Sequence, residues 1–230
     1  MSLILDGTTG VPVTTVTGTL PVANGGTGGS TSTGTGAVVL ATSPTLVTPA
    51  LGTPSSGTLT NCTGVAAAAL PAGSVLQVVS TTKTDVFTDS SGVLVAITGM
   101  SVQITPSSAS NKIIVQVSVG RVGLQYVNTI AGFAVYRNGV LNSPIGDAAG
   151  SRPRHTFSIL QPANQGICGG GAYSYQDSPA TTSAMTYALY GSSSNVGEIW
   201  VFNKAYTDTD GIQAYNARVA STITVMEIKG

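Results

Sequence analysis

Apolar and polar residues alternate along most of the chain after Ala72, as they do in half-buried β-strands. No window between Ala72 and Gly230 repeats apolar residues at the period of an amphipathic helix. Ten short segments carry the strand pattern: Val75–Val79, Val93–Ile97, Val102–Thr105, Ile113–Val119, Phe133–Arg137, Thr156–Leu160, Tyr173–Tyr175, Met185–Tyr190, Ile199–Asn203 and Thr222–Ile228. The sequence therefore predicts an all-β fold, with residues 72–230 forming a jelly-roll-like β-sandwich head.

One dipeptide predicts a tight turn between two strands. Asn138-Gly139 follows the strand-like run Phe133–Arg137, and both residue types readily adopt the positive φ angles of a two-residue hairpin turn. A turn or two of helix is expected only near Ala66–Leu70. The head should therefore be almost free of helix.

The first third of the chain has a different character. From Gly7 to Thr82 there is no Asp, Glu, Lys, Arg or His, and the first aromatic residue is Phe87. Such a segment lacks the side chains that bury the most area, yet its Val, Leu and Thr content is too apolar for a solvated linker. Prolines recur at five-residue spacing from Pro44 to Pro54, and residues before proline favour extended conformations. We expect residues 1–71 to form an extended stalk that folds by intertwining with other copies of the chain.

Composition narrows the classes of partner. Charged residues make up 8% of the chain, against about 25% in an average soluble domain, and nine basic side chains balance nine acidic ones. A nucleic-acid-binding protein concentrates Lys and Arg in a patch, and Arg152 with Arg154 is the nearest approach to one. No apolar run is long enough to span a membrane, and residues 1–6 lack the features of a signal peptide. We therefore expect a protein folded in the cytoplasm, with no nucleic-acid partner and no membrane span.

Several segments resemble parts of phage proteins. Leu20–Gly28 and Ala37–Gly64 resemble segments that recur in tail-fibre proteins of tailed bacteriophages. Four later segments resemble the heads of marine-phage fibre proteins: Ile104–Ser108, Gly146–Arg152, Asp177–Thr182 and Ser221–Ile228. The resemblance implies a homotrimeric structural protein of the virion, assembled in the cytoplasm of the bacterial host.

The resemblance also implies a function. A tail fibre attaches the particle to the host, so residues 1–71 are expected to contact other virion proteins and the head to bind a host surface glycan or protein. Two alternatives stay open. In the first alternative, the chain is a capsid-mounted fibre or cement trimer that stabilises the shell. In the second, which ranks third after the tail fibre, it is a polysaccharide depolymerase.

Motifs for catalysis and cofactor binding are absent or incomplete. His155 is the only histidine, and no serine lies in a nucleophile-elbow motif. The glycine-rich segment Gly25–Gly29 lacks the spacing of a phosphate-binding loop. Asp208–Gly211 resembles the start of a calcium loop, but Val219 occupies the position of its final Glu. We therefore expect a non-enzymatic protein with no cofactor and no metal ion.

Aromatic residues are the best candidates for receptor contact, because flat amphipathic rings suit glycan and protein surfaces alike. Tyr206 and Tyr215 flank the polar loop Thr207–Gln213. The predicted receptor-contact residues are Tyr206, Asp208, Asp210, Gln213 and Tyr215.

Two further pairs of residues are assigned structural roles. Strand alternation places Tyr187 and Trp200 in the core or in a subunit interface. Asp147 and Arg152 lie in a single loop, and we expect them to form a structural ion pair. The expected cost of breaking that pair depends on its burial, from about 0–1 kcal/mol when exposed to roughly 3–5 kcal/mol when buried.

Overall fold

The computed structural model of the chain describes residues 65–162 and 169–230. The β-strands of this part are β1 Val75–Lys83, β2 Phe87–Asp89, β3 Val95–Ile104, β4 Lys112–Leu124, β5 Thr129–Arg137, β6 Val140–Leu141, β7 Phe157–Gln161, β8 Gly169–Asp177, β9 Met185–Ser193, β10 Trp200–Phe202 and β11 Ser221–Ile228. The helical segments are two 3-10 turns, Ala67–Ala69 and Ala214–Asn216. The prediction of an all-β fold is confirmed, and the turn expected near Ala66–Leu70 is the first 3-10 segment.

The strands form two antiparallel sheets. In the first sheet the order is β1-β11-β4-β8, and β10 pairs with the C-terminal part of β4 and with β2. In the second sheet the order is β3-β9-β5, and both β7 and β6 pair with β5. Most long strands therefore have their sequence neighbour in the opposite sheet.

The core lies between the two sheets and follows from strand alternation. In β4, Ile113, Val115 and Val117 are buried, whereas Gln116 and Ser118 between and beyond them are exposed. The core is centred on aromatic rings: the centroids of Phe133 and Trp200 lie 6.0 Å apart with the rings nearly perpendicular. Complete burial of such a side chain stabilises the fold by about 1.5–3 kcal/mol. Tyr187 and Trp200, which were predicted to lie in the core or in a subunit interface, are both fully buried in this core.

Differences from the predicted strands have local causes. Val93–Ile97 and Val102–Thr105 belong largely to one strand, β3, whose register shifts around Gly99, a residue with a φ angle of 83°. The Asn138-Gly139 hairpin is present, with φ angles of 51° and 80°, but it leads into a strand of only two residues, β6. Strands as short as β2 and β6 were missed because two or three residues show no periodicity.

The predicted stalk lies mostly outside the described residues. Of the predicted stalk, 1–71, the structure describes only residues 65–71, so the intertwined arrangement stays a prediction. Within the described ranges no helix is long and apolar enough to cross a membrane.

Candidate functional site

The segment 203–220, called the β10–β11 loop below, is held to the first sheet by Asn203. Its side chain donates hydrogen bonds to the carbonyl oxygens of Lys83 (2.9 Å) and Asp85 (3.1 Å) and accepts one from the hydroxyl of Ser221 (2.6 Å). Asn203 is fully buried, and its φ angle of 67° is one that Asn tolerates better than most residues. Asn203 therefore fixes both ends of the loop against the same part of the sheet.

Two glycines of β4 allow the loop to lie against that strand. A Cβ atom at Gly123 would overlap the backbone nitrogen of Tyr206, and one at Gly120 would overlap the carbonyl oxygen of Ala220. Any larger side chain at either position would push one end of the loop away from β4. The spacing Gly-x-x-Gly in β4 is thus the sequence signal for this close approach, a signal that the prediction of the site missed.

Asp208 joins the two arms of the loop. Its carboxylate accepts two hydrogen bonds from Arg218, at 2.8 and 2.7 Å, and one from Lys204 at 3.0 Å. Burial acts to raise the pKa of Asp208, but the hydrogen bonds and positive charges of Lys204 and Arg218 outweigh it and hold that pKa below its usual value. The carboxylate is therefore ionised near neutral pH and acts as a brace within the loop.

Four of the five predicted receptor residues divide into two groups on this loop. Tyr206 is half-buried at the Gly123 crossing, and Asp208 is engaged by the brace. Asp210 and Gln213 are exposed at the tip. The backbone of Tyr215 belongs to the second 3-10 turn, and its side chain lies outside the described part of the structure.

Ile212 is a tip residue that the prediction missed. Its side chain is fully exposed, with Asp210 and Gln213 close to it in sequence. A single apolar side chain in a polar loop is the signal that marks it. The tip can therefore offer a partner an apolar contact surrounded by hydrogen-bonding groups, on a loop whose base is fixed.

The predicted Asp147–Arg152 pair is not among the ion pairs formed within the described residues, which are Lys83–Asp85, Arg137–Asp177, Lys204–Asp208 and Arg218–Asp208. Asp147 and Arg152 are both exposed and line the same shallow depression. An exposed pair gains only about 0–1 kcal/mol, which is too little to hold two long side chains together.

Most of the buried or half-buried carboxylates have structural partners. Glu227 accepts hydrogen bonds from Ser107 (backbone and hydroxyl), Asn111 and Gln77, and Glu198 accepts from Thr129 and Asn195. For Glu227, burial acts to raise the pKa, but these donors hold it below the usual value. The described residues contain no group of three His, Cys, Asp or Glu side chains placed to hold a metal ion.

A second candidate surface is the outer face of the first sheet, called the Thr/Ser face below. Its members carry no charge, and its central row runs across four paired strands through Ser80, Thr224, Gln116 and Ser174. Lys112 lies two residues before Ile114 on the same side of β4 and bounds the face at that end. Hydroxyl pairs bridge neighbouring strands, including Ser80 with Thr224 at 2.8 Å. The members of the face are Val78, Ser80, Thr82, Ile114, Gln116, Ser118, Ala172, Ser174, Gln176, Thr222, Thr224 and Met226.

Comparisons with known proteins do not assign the chain to a family: no family model matches it, and no curated protein matches it.

Proposed function

We propose that the chain is a non-enzymatic structural protein of a tailed bacteriophage, a trimeric tail fibre whose head attaches the particle to the host surface. The observation that carries this proposal is the Thr/Ser face. Twelve side chains on four adjacent strands form one surface without a charge, and Val78 on it is 57% exposed. The proposal also draws on the resemblance of Leu20–Gly28 and Ala37–Gly64 to tail-fibre segments.

The order of the strands supports a jelly-roll head. Eight strands remain when β2, β6 and β10 are set aside, and all but the consecutive pair β5 and β7 alternate between the sheets. Numbered along the chain, their order is 1-8-3-6 in the first sheet and 2-7-4-5 in the second. This is the connectivity of a jelly roll, an architecture found in many viral proteins.

The Thr/Ser face is the surface through which we expect the copies to associate. The cores of protein interfaces are depleted in charged residues, and a sheet face with small hydroxyl and aliphatic side chains allows close approach. In a closed trimer this face is buried in all three subunits, so none remains exposed to bind further chains. The head thus supplies its own contribution to the trimer, in addition to the proposed stalk over residues 1–71.

Attachment is assigned to the tip of the β10–β11 loop. Its base is fixed by Asn203 and braced by Asp208, so a partner that binds Asp210, Ile212 and Gln213 need not order the loop. The partner is a glycan or protein of the host surface. Its sugar rings or apolar side chains would contact Ile212, and its hydroxyl or amide groups would form hydrogen bonds with Asp210 and Gln213.

The experiment that tests this function locates the chain on the particle and asks whether it binds the host. Particles are imaged with a label on the chain, and purified chain is added as a competitor during adsorption. A label at the distal end of the tail together with blocked adsorption supports the proposal. A label distributed over the capsid, with adsorption unaffected, overturns it in favour of a capsid-mounted or cement trimer.

A further inference from the structure

The depression lined by Asp147 and Arg152 holds an unusual share of the positive charge of this chain. Only nine Lys and Arg residues occur in 230 residues, yet two of them, Arg152 and Arg154, line this depression. Asp147 is the one acidic residue that lines it with them. The formal charge there is therefore positive in a protein whose net charge is zero.

The depression is built by a loop that is fixed to the second sheet. Between β6 and β7 the chain closes on itself through a backbone hydrogen bond from Gly146 to His155 (3.2 Å). The backbone of Thr156 then bonds to the carbonyl oxygen of Phe133 on β5 (2.8 Å). The His155 ring lies directly on Gly132 of β5, where a Cβ atom would overlap it. The site is thus formed before any ligand arrives.

Hydrogen-bond donors remain available at this site. The Nε atom of Arg154 donates to the carbonyl oxygen of Gly146 at 2.6 Å, which orients the guanidinium group. Its terminal amino groups have no partner within the described residues. The Arg152 side chain is exposed and likewise makes no hydrogen bond to the described part of the chain. Two guanidinium groups that line one depression suit a carboxylate, which accepts paired hydrogen bonds from Arg.

The remaining lining distinguishes a sugar acid from a bare anion. Ile130 and Pro153 offer apolar surface, and the exposed hydroxyl of Ser158 offers hydrogen bonds. The hydroxyl of Thr156 already bonds to that of Ser143 and can make one further hydrogen bond. His155 adds a neutral polar ring near pH 7, because burial lowers the pKa of its imidazole. A uronic acid has one ionised carboxylate, several hydroxyls and an apolar ring face, and each of these groups has a counterpart in the depression.

We propose that this depression binds a carboxylate-bearing sugar, a hexuronic acid unit of an acidic surface polysaccharide. The proposal rests on the attachment function proposed above and adds the chemical class of ligand at a site other than the β10–β11 loop tip. Its physical basis is the pair Arg152 and Arg154 on a loop that Gly132 and His155 hold in place.

The test measures binding of oligogalacturonate to the full purified chain by titration calorimetry. The methyl ester of the same oligosaccharide, which has the same sugar rings without the charge, is measured for comparison. The wild-type chain should bind the acid form, and more weakly as salt rises. R152Q and R154Q should each weaken binding by about tenfold, the effect of losing a charge-assisted hydrogen bond. D147N should strengthen it, because a repelling carboxylate is removed. K112Q, an equal charge change on the first sheet, should leave it unchanged.

Several outcomes would overturn the inference. These are no binding of oligogalacturonate, equal binding of acid and ester, equally tight binding of inorganic phosphate, or R152Q and R154Q variants that bind as the wild type does. Unfolding temperatures of the variants check that each has folded. If the chain is trimeric and blocks adsorption but ignores oligogalacturonate, the ligand assignment alone fails and the attachment function stands.

Discussion

Arg137 and Asp177 form an ion pair that joins the two sheets, with Nη1 of Arg137 at the end of β5 lying 2.5 Å from Oδ2 of Asp177 at the end of β8. The hydroxyl of the buried Tyr187 donates to the same oxygen at 2.6 Å. Asn142 accepts a hydrogen bond from Tyr175 (2.7 Å) beside them. These groups close one end of the sandwich, where the apolar core would otherwise meet water.

Replacing Asp177 with Asn keeps the shape of this side chain and removes its charge. Arg137 then loses its ionic partner in a half-buried position, so we expect the free energy of unfolding to fall by roughly 1–3 kcal/mol. Urea unfolding measures the change. Asp210→Asn, the same substitution at an exposed site, serves as the control and should have almost no effect. An equal loss in the two variants would contradict the role of Asp177.

The same residue gives the protein an acid-sensitive component of stability. Burial acts to raise the pKa of Asp177, but hydrogen bonds from Tyr187, Asn142 and Arg137 and the charge of Arg137 hold it below the usual value of 3.8. The unfolded chain therefore takes up this proton at a higher pH than the folded chain does. The contribution is complete above the unfolded pKa and is lost as the pH falls through the folded pKa.

Unfolding measured across acidic pH should show this difference between variants. Stability of the wild type should fall as the pH drops below about 5. The Asp177→Asn variant should lose less over the same range, because Asp177 no longer contributes. Asp85, Asp89, Asp208 and Glu227, whose pKa values are also lowered, contribute to the remaining dependence. Identical slopes for the two proteins would show that Asp177 is not linked to folding in this way.

Gly132→Ala should detach the loop that carries Arg152 and Arg154. The added methyl group overlaps the His155 ring, so one of them must move, at a typical cost of about 1–3 kcal/mol. Gly146→Ala in the same loop is the matched control, since nothing lies within 4 Å of its Cβ position. Thermal unfolding measures the cost, and hydrogen exchange of Thr156 reports the position of the loop.

A double variant makes this prediction specific. If overlap with His155 is the cause, Gly132→Ala combined with His155→Ala should lose less stability than the sum of the two single changes. If the stability losses of the two single variants simply add, the methyl group at position 132 destabilises the protein through a contact other than the one with His155.

Ile212→Ser tests the tip of the β10–β11 loop as the surface that contacts the host. The side chain makes no contribution to the core, so the unfolding temperature should not change, whereas binding of purified chain to host cells should weaken severalfold. Val196→Ser is the control, because Val196 is 85% exposed in a different loop. Equal binding by the two variants would remove the tip from the attachment surface.

The fold could be predicted from local patterns, whereas much of the site depends on contacts distant in sequence. The alternation in Ile113–Val119 correctly predicts the centre of β4, because burial on one face repeats every second residue. Closeness in sequence predicted an ion pair between Asp147 and Arg152, whereas the pair that forms between Arg137 and Asp177 spans 40 residues. No local signal reveals that His155 lies on Gly132.

The β10–β11 loop shows the same limit. A polar segment between Tyr206 and Tyr215 marked it as a candidate, and the structure places Asp210 and Gln213 at its exposed tip. The brace from Asp208 to Arg218 and the anchor at Asn203 could not be inferred, because both depend on how the loop returns to the sheet.

A charge placed in the middle of the Thr/Ser face tests the proposal that copies of the chain associate through it. Gln116 is exposed in a single chain, so Gln116→Arg should leave the fold of the head intact, and a charge buried in the proposed interface should destabilise that interface. Gln103→Arg, on an exposed position of β3 in the second sheet, is the control. We expect only Gln116→Arg to lower the molar mass in solution.

The mass of the intact 230-residue chain, measured by light scattering, tests the central claim most directly. A trimeric fibre predicts a particle with three times the 23.0 kDa mass of the chain. A stable, soluble monomer of 23.0 kDa would contradict the intertwined stalk and the proposed use of the Thr/Ser face together.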